Sequence, residues 1–149
     1  MSNPPANVGY SGTPLPKKLG LKPGQTVAFV ALPAELEWLA TAEAFAEVDR
    51  AANAGELGPS LAHDVIHAFY VNAEHMRGAL ACLRTAIKPN GAIWISWPKK
   101  AAKVPTDITE DVIRTHALAG GLVDVKVCAV SEVWSGLKLV IPVSQRPSG

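Results

Sequence analysis

Thr26-Val27-Ala28-Phe29-Val30-Ala31-Leu32, closed by Pro33, is the stretch whose reading decides the fold. A continuous apolar run of this length predicts a strand covered on both faces, as in a parallel sheet, and Pro33 ends it. Two further runs of the same kind follow, Asp64 to Val71 and Ala92 to Trp97. Helical patterns separate them. Ala34 to Ala42 places Leu36 and Leu39 on one face with Trp38 beside them, and Ala46 to Arg50 reads as a weak edge strand. After the second run, Asn72 is a good helix N-cap, and Met76, Leu80, Leu83 and Ile87 recur at the spacing of one buried stripe. Lys88-Pro89-Asn90-Gly91 stops that helix and turns the chain into the third run.

The last third continues the alternation and then changes it. Thr106 or Asp107 caps a further helix, with Glu110 at capping-box distance from Asp107. Ile108, Val112 and His116 or Ala117 face inward, and Gly120-Gly121 ends it. Val123, Val125 and Val127 alternate with Asp124, Lys126 and Cys128, and Leu137 to Val143 runs back, so the final two strands form an antiparallel pair. The pattern predicts an α/β domain: a three-layer, Rossmann-like, mostly parallel sheet ending in an antiparallel hairpin. This order is similar to the later half of a class I methyltransferase, an analogy of fold that leaves function open. The domain spans residues 25–145. Residues 1–24, rich in glycine and proline, read as an extended arm in which Leu15 to Leu21 holds a short helical turn, and residues 146–149 as a disordered tail.

Composition narrows the function classes. A chain of 149 residues with 48% hydrophobic side chains builds one domain around a core. A net charge of +1 supplies no global attraction to nucleic acid or an anionic membrane, so any electrostatic site must be local. Cys82 and Cys128 are far apart, which argues against a disulfide framework and for a reducing cytoplasm. Met1 to Gly9 lacks the apolar stretch of a signal peptide, and no run approaches the ~20 residues of a membrane helix. The expectation is a cytoplasmic protein with no membrane or nucleic-acid partner.

The site-bearing residues start from an absence. Nucleotide and S-adenosylmethionine sites on such sheets use glycines after the first strand, where backbone approaches ligand. Here Leu32-Pro33-Ala34 occupies that turn, and no glycine occurs between Gly24 and Gly55. No cofactor is therefore expected. Asp49 stands at a distance where an acid would bind a ribose diol, or it is a solvated carboxylate on an edge strand. The positive candidate is Ser96-Trp97-Pro98-Lys99-Lys100, at the carboxyl end of a parallel strand. Lys88, Lys99, Lys100 and Lys103 lie in one acid-free segment, and Lys17, Lys18 and Lys22 in another. The two segments either meet to bind a small anion or an acidic protein segment, or are solvated loops.

Other residues carry less. Trp94 and Trp97 fall on opposite faces of one strand; Trp94 reads as core, and Trp97 as either pocket wall or packing. Trp134, in the hairpin connection, either faces a partner or folds back over the sheet. His63 and His67 lack the shared helical face that a four-residue metal spacing exploits, and Ser11 and Ser135 lack the context of a nucleophile elbow. Glu110 and Asp111 fit helix-start electrostatics.

Several stretches in combination resemble one bacterial family of unknown function, the domain of unknown function numbered 3052. They are Tyr10-Ser11-Gly12-Thr13-Pro14-Leu15 with Lys17-Lys18-Leu19-Gly20, Trp94 to Lys100, Thr106 to Asp111, Gly121 to Val130, and Val133 to Lys138. The resemblance spans Tyr10 to about Val140 and implies a short stand-alone bacterial protein. It brings no assigned activity and no catalytic residues, and His67 departs from the aliphatic residue expected there. The preferred expectation is a non-catalytic binding or regulatory module with its site at Trp97, Lys99 and Lys100, joined by Lys17 and Lys18. The alternatives are a divergent S-adenosylmethionine- or nucleotide-dependent transferase using Asp49, and a structural homodimer built through the terminal hairpin.

Overall fold

The computed structural model describes residues 13–146, so the N-terminal part of the arm and residues 147–149 lie outside the described residues. Among the described residues nine elements of strand and α-helix follow one another: α1 (Leu15–Lys18), β1 (Thr26–Val30), β2 (Glu47–Ala51), β3 (His63–Phe69), α2 (Ala73–Ala86), β4 (Ile87–Pro98), α3 (Glu110–Ala119), β5 (Val123–Ala129) and β6 (Trp134–Val140). The strands form one six-stranded sheet in the order β2-β1-β3-β4-β6-β5. β1 to β4 are parallel, and β6 is antiparallel to both neighbours. The hairpin therefore does not simply extend the sheet: its second strand inserts between β4 and β5, leaving β5 at the edge.

The chain reverses direction across the sheet at β1, first stepping out to β2 and then back past β1 to β3. Right-handed crossovers in opposite directions place their connections on opposite faces, which gives three layers. On one face α2, α3 and the short 3₁₀ turn Ala54–Leu57 bury Met76, Leu80, Leu83, Ile113 and Ala117 against Ile66, Ile93 and Ile95. On the other, α1 and the 3₁₀ helix Ala34–Thr41 bury Leu15, Leu19, Leu36 and Leu39 against Phe29, Phe69 and Trp94. The described part of the segment read as an extended arm is thus packed onto the sheet: Leu19 is 1% exposed, and its carbonyl accepts from Trp94 Nε1 at 3.0 Å.

Local details follow from side-chain chemistry. Asn72 caps α2 as expected, its oxygen accepting from the His75 N–H at 3.0 Å. The helix after residue 106 begins later than expected, with Thr109 as its cap. Asp107 and Thr106 are engaged elsewhere: Asp107 accepts from the Ala73 N–H at 2.7 Å, and the Thr106 hydroxyl donates to the Val71 carbonyl at 2.7 Å. Lys88 to Gly91 is taken up in β4 as an irregularity between the His63–Ile87 and Val65–Ala92 pairs. Gly91 is required there, because a Cβ would lie 2.9 Å from the His63 carbonyl oxygen. No helix among the described residues is long and apolar enough to cross a membrane.

Candidate functional site

In an open parallel sheet, the crevice beyond the carboxyl ends of the strands forms where the strand order reverses. In this sheet that point is β1, flanked by β2 and β3. A cavity of ≈ 390 Å³ lies there, lined among others by Ala31 after β1, Asn53 after β2, Tyr70 after β3, and His75, Gly78 and Cys82 of α2. The volume is in the range of small-molecule sites, about 300–1,000 Å³.

The turn after β1 carries no glycine, yet its backbone is unusual. Ala31 adopts φ +56°, the left-handed region that L-residues with a Cβ rarely enter. Its N–H donates to the Ala51 carbonyl at 2.9 Å, so pairing with the β2 side continues one residue past β1 and then turns sharply. The backbone conformation usually given to glycine is made here by alanine, at the cavity wall. Strained backbone concentrated at a cleft is a mark of functional sites.

Polar groups around the cavity are few. The Tyr70 hydroxyl is buried and has no hydrogen-bond partner among the described residues, and burial pushes the phenol up to about 12. The Asn53 side-chain amide donates to Glu56 at 3.1 Å, and the other Glu56 oxygen accepts from the Ala52 N–H, also at 3.1 Å, so the first acid after β2 braces this turn. Two amides in the first turn of α2 are satisfied by Asp107 and Asn72, which removes them as ready ligands for an anion. Cys82 presents an exposed thiol. Sequence reasoning missed this set, and the only available signal was positional: residues one to three beyond each apolar run.

The residues expected to form the site are dispersed. Trp97, 8% exposed, packs in the α2–α3 core and lines a second cavity of ≈ 270 Å³ with Pro98, Lys100, Thr106, Thr109 and Glu110. Lys99 does not line it; its N–H is tied to the Val133 carbonyl at 2.7 Å. Lys17 and Lys18 belong to α1, which packs on the opposite face of the sheet from Trp97. This cavity is lined by one lysine, Lys100, and one carboxylate, Glu110, which also pairs with Arg114. Asp49 is drawn away from a ribose-binding role as well. It sits within β2, opposite Ala28 of β1, and its carboxylate lies 2.7 Å from Nε2 of the buried His63. His67 is equally buried, 2.6 Å from Ser96 Oγ and stacked on Phe69 at 4.3 Å. Trp134 folds back over the sheet, edge-on to Phe69 at 5.2 Å. Among the described residues no group of three or more His, Cys, Asp or Glu is placed to hold a metal ion.

Comparison with solved structures identifies the fold. A S-adenosylmethionine-dependent methyltransferase from Aquifex aeolicus matches with a TM-score of 0.65 at 18% identity, over 84% of this chain and 87% of that one. Magnesium protoporphyrin IX methyltransferase from Synechocystis PCC 6803, solved with bound S-adenosylmethionine, matches with a TM-score of 0.59 at 16% identity, over 80% of this chain and 71% of the other. The trans-methyltransferase CalH, in complex with S-adenosylhomocysteine, matches with a TM-score of 0.61 at 14% identity, over 86% of this chain and 55% of its own. No family model matches the chain, and no curated protein does. The fold is the Rossmann-like class I methyltransferase fold, as the order of strands and helices led one to expect. The same matches overturn the preference for a non-catalytic binding or regulatory module.

Proposed function

We propose that this chain is a divergent S-adenosylmethionine-dependent methyltransferase that takes its cofactor in the cavity beyond β1, β2 and β3. The observation that carries the reading is the left-handed Ala31 at the wall of that cavity, at the reversal of strand order. The backbone there is held in a strained conformation at a cleft, and alanine presents a side chain no bulkier than a methyl group. The residues fit such a ligand in three ways. The cavity has the volume of a small-molecule site, its wall is mostly apolar, and the buried Tyr70 hydroxyl has hydrogen-bonding capacity to spare. Asn53 stands at the end of β2 with its carbonyl oxygen free of the Glu56 contact, and it would take the ligand's hydroxyls in place of an acid. Gly78 leaves the α2 side open, since a Cβ there meets nothing within 4 Å.

The cofactor would supply an electrophilic methyl group on a sulfonium. The chain's part is to bind and orient it and to keep water from the apolar wall. The phenol of Tyr70, pushed up to about 12, stays protonated at neutral pH and acts as a hydrogen-bond donor.

Calorimetric titration with S-adenosylmethionine and S-adenosylhomocysteine tests the reading. Gly78→Trp, on an exposed position of α2, fills the cavity while leaving the helix in place. Binding by the wild type and its loss in Gly78→Trp is the expected result. Absence of binding to both ligands, or undiminished binding by the variant, would overturn the cavity assignment. A parallel titration with ATP separates a nucleotide-dependent transferase from a methyltransferase.

A further inference from the structure

Lys126 of β5 is paired directly with Lys138 of β6, and Lys138 is paired in turn with Trp94 of β4. Residues in register share a sheet face, so both lysines point to the side where Trp94 packs, opposite α2 and α3. The chain crosses that side at Leu19 to Leu21, anchored by the Trp94–Leu19 hydrogen bond, and delivers Lys22 immediately afterwards. Burial together with the charges of Lys126 and Lys22 holds the Lys138 ammonium below the usual lysine range. Lys18 and Lys126 both act on Cys128 two residues further along β5.

Like charges directly opposite on neighbouring strands are destabilising. Two features of the structure keep this repulsion from being relieved. In a regular strand Asp124 and Lys126 would share a face, but the irregularity between them pairs Asp124 with Leu139 and Lys126 with Lys138, on opposite faces. Asp124 is then held on the far side by Arg114 at 3.0 Å, which also gathers Glu110 and Asp111. The remaining ion pairs of the described residues use Arg50, His63, Arg77 and Lys88; none includes Lys18, Lys22, Lys126 or Lys138. A local conflict that the rest of the fold maintains is the kind of rule-breaking found at functional sites.

We propose that Lys22, Lys126 and Lys138, with Lys18 at the margin, form a binding site for a small polyanion bearing adjacent phosphate groups. Neighbouring strands are ≈ 4.8 Å apart, so the paired lysines suit charges repeated at short intervals, and ammonium groups bind phosphate as point charges. The ligand is small because the net charge of +1 provides no extended field for a nucleic acid, and the paired lysines occupy one short stretch of β5 and β6. The site lies apart from the cavity along α2 and does not depend on the methyltransferase reading.

Tripolyphosphate is the probe. It should raise the melting temperature of the wild type and bind saturably in calorimetry at moderate salt. The double variant Lys126→Gln/Lys138→Gln should fold with equal or higher melting temperature in phosphate-free buffer, because the repulsion is gone. It should lose binding by about tenfold or more, the effect of about 1.4 kcal/mol. ATP and tripolyphosphate competing for one site, with Gly78→Trp unaffected, would support a phosphate chain from either a nucleotide or an inorganic source. Equal binding by wild type and double variant, or no binding by the wild type, would overturn the site. So would binding of ATP without tripolyphosphate, or of single-stranded RNA with a salt dependence counting more phosphates than these lysines can meet.

Discussion

His63 on β3 and Asp49 on β2 meet at 2.7 Å although β1 lies between their strands in the sheet. The histidine is 3% exposed, and its Nδ1–H donates to the Ala86 carbonyl at 3.1 Å at the end of α2. One ring thus ties β2 to the α2–β4 junction. Asp49 is a brace, and Asp49→Ala should lower stability by about 1–3 kcal/mol, the cost of leaving a buried polar group unpaired. Urea denaturation measures it. S-adenosylmethionine affinity of the folded variant should be unchanged, whereas a ribose-binding acid would lose affinity on the same substitution.

Ala31 offers a prediction of opposite sign. A left-handed L-residue costs about 1–2 kcal/mol, and glycine removes that cost. Glycine also gains entropy in the unfolded chain, worth about 0.4–1 kcal/mol. Ala31→Gly should therefore stabilise the protein by up to about 1.6 kcal/mol. Ala31→Val, with a β-branched side chain in the same conformation, should destabilise it. Paired thermal melts of the two variants read both signs.

His67 sets a pH dependence. Complete burial lowers its pKa to about 3, so the folded protein keeps the ring neutral where the unfolded chain, near the ordinary 6.5, takes up a proton. Between these values the unfolded state binds more protons, and stability falls as pH falls, by up to about 1.4 kcal/mol per unit below pH ~6.5. Above that pH the contribution is constant. His67→Phe should flatten the slope of unfolding free energy between pH 6.5 and 4, and an unchanged slope would assign the acid sensitivity to other groups.

Leu19 tests whether the segment before β1 belongs to the folded unit. Leu19→Ala should cost about 2–5 kcal/mol, as for other fully buried leucines. An independent arm would lose nothing on this change. Chemical denaturation with an unchanged m-value is the appropriate measurement.

The elements legible in the sequence were those whose signal is local. β1 and the later part of β4 are apolar runs and β3 is nearly so, and α2 carries its stripe of Met76, Leu80 and Leu83 with Asn72 as cap. Ala34–Thr41 is helical but 3₁₀: Leu36 and Leu39 are three residues apart, which aligns them in a three-residue turn, and no side chain caps its start. α3 started at Thr109 because Thr106 and Asp107 are occupied by Val71 and Ala73, more than thirty positions away in the chain. Nothing in a local pattern shows such a competitor for a capping side chain. The lysines illustrate the same limit. Shared composition groups Lys17 and Lys18 with Lys99 and Lys100, yet α1 and Trp97 lie on opposite sheet faces, and Lys126 is paired with Lys138 instead.

The order of strands and helices, the buried stripes and the class of fold were determined by the sequence itself, through hydrophobic periods and caps spanning a few residues. Tertiary structure alone decided that β6 enters between β4 and β5, that Asp49 pairs with His63, that Ala31 adopts a left-handed conformation, and that Asp124 and Lys126 part to opposite faces. Each of these depends on which strand lies alongside and in what register. That choice is made by burial and hydrogen bonding across the whole sheet, so no short window of sequence contains it.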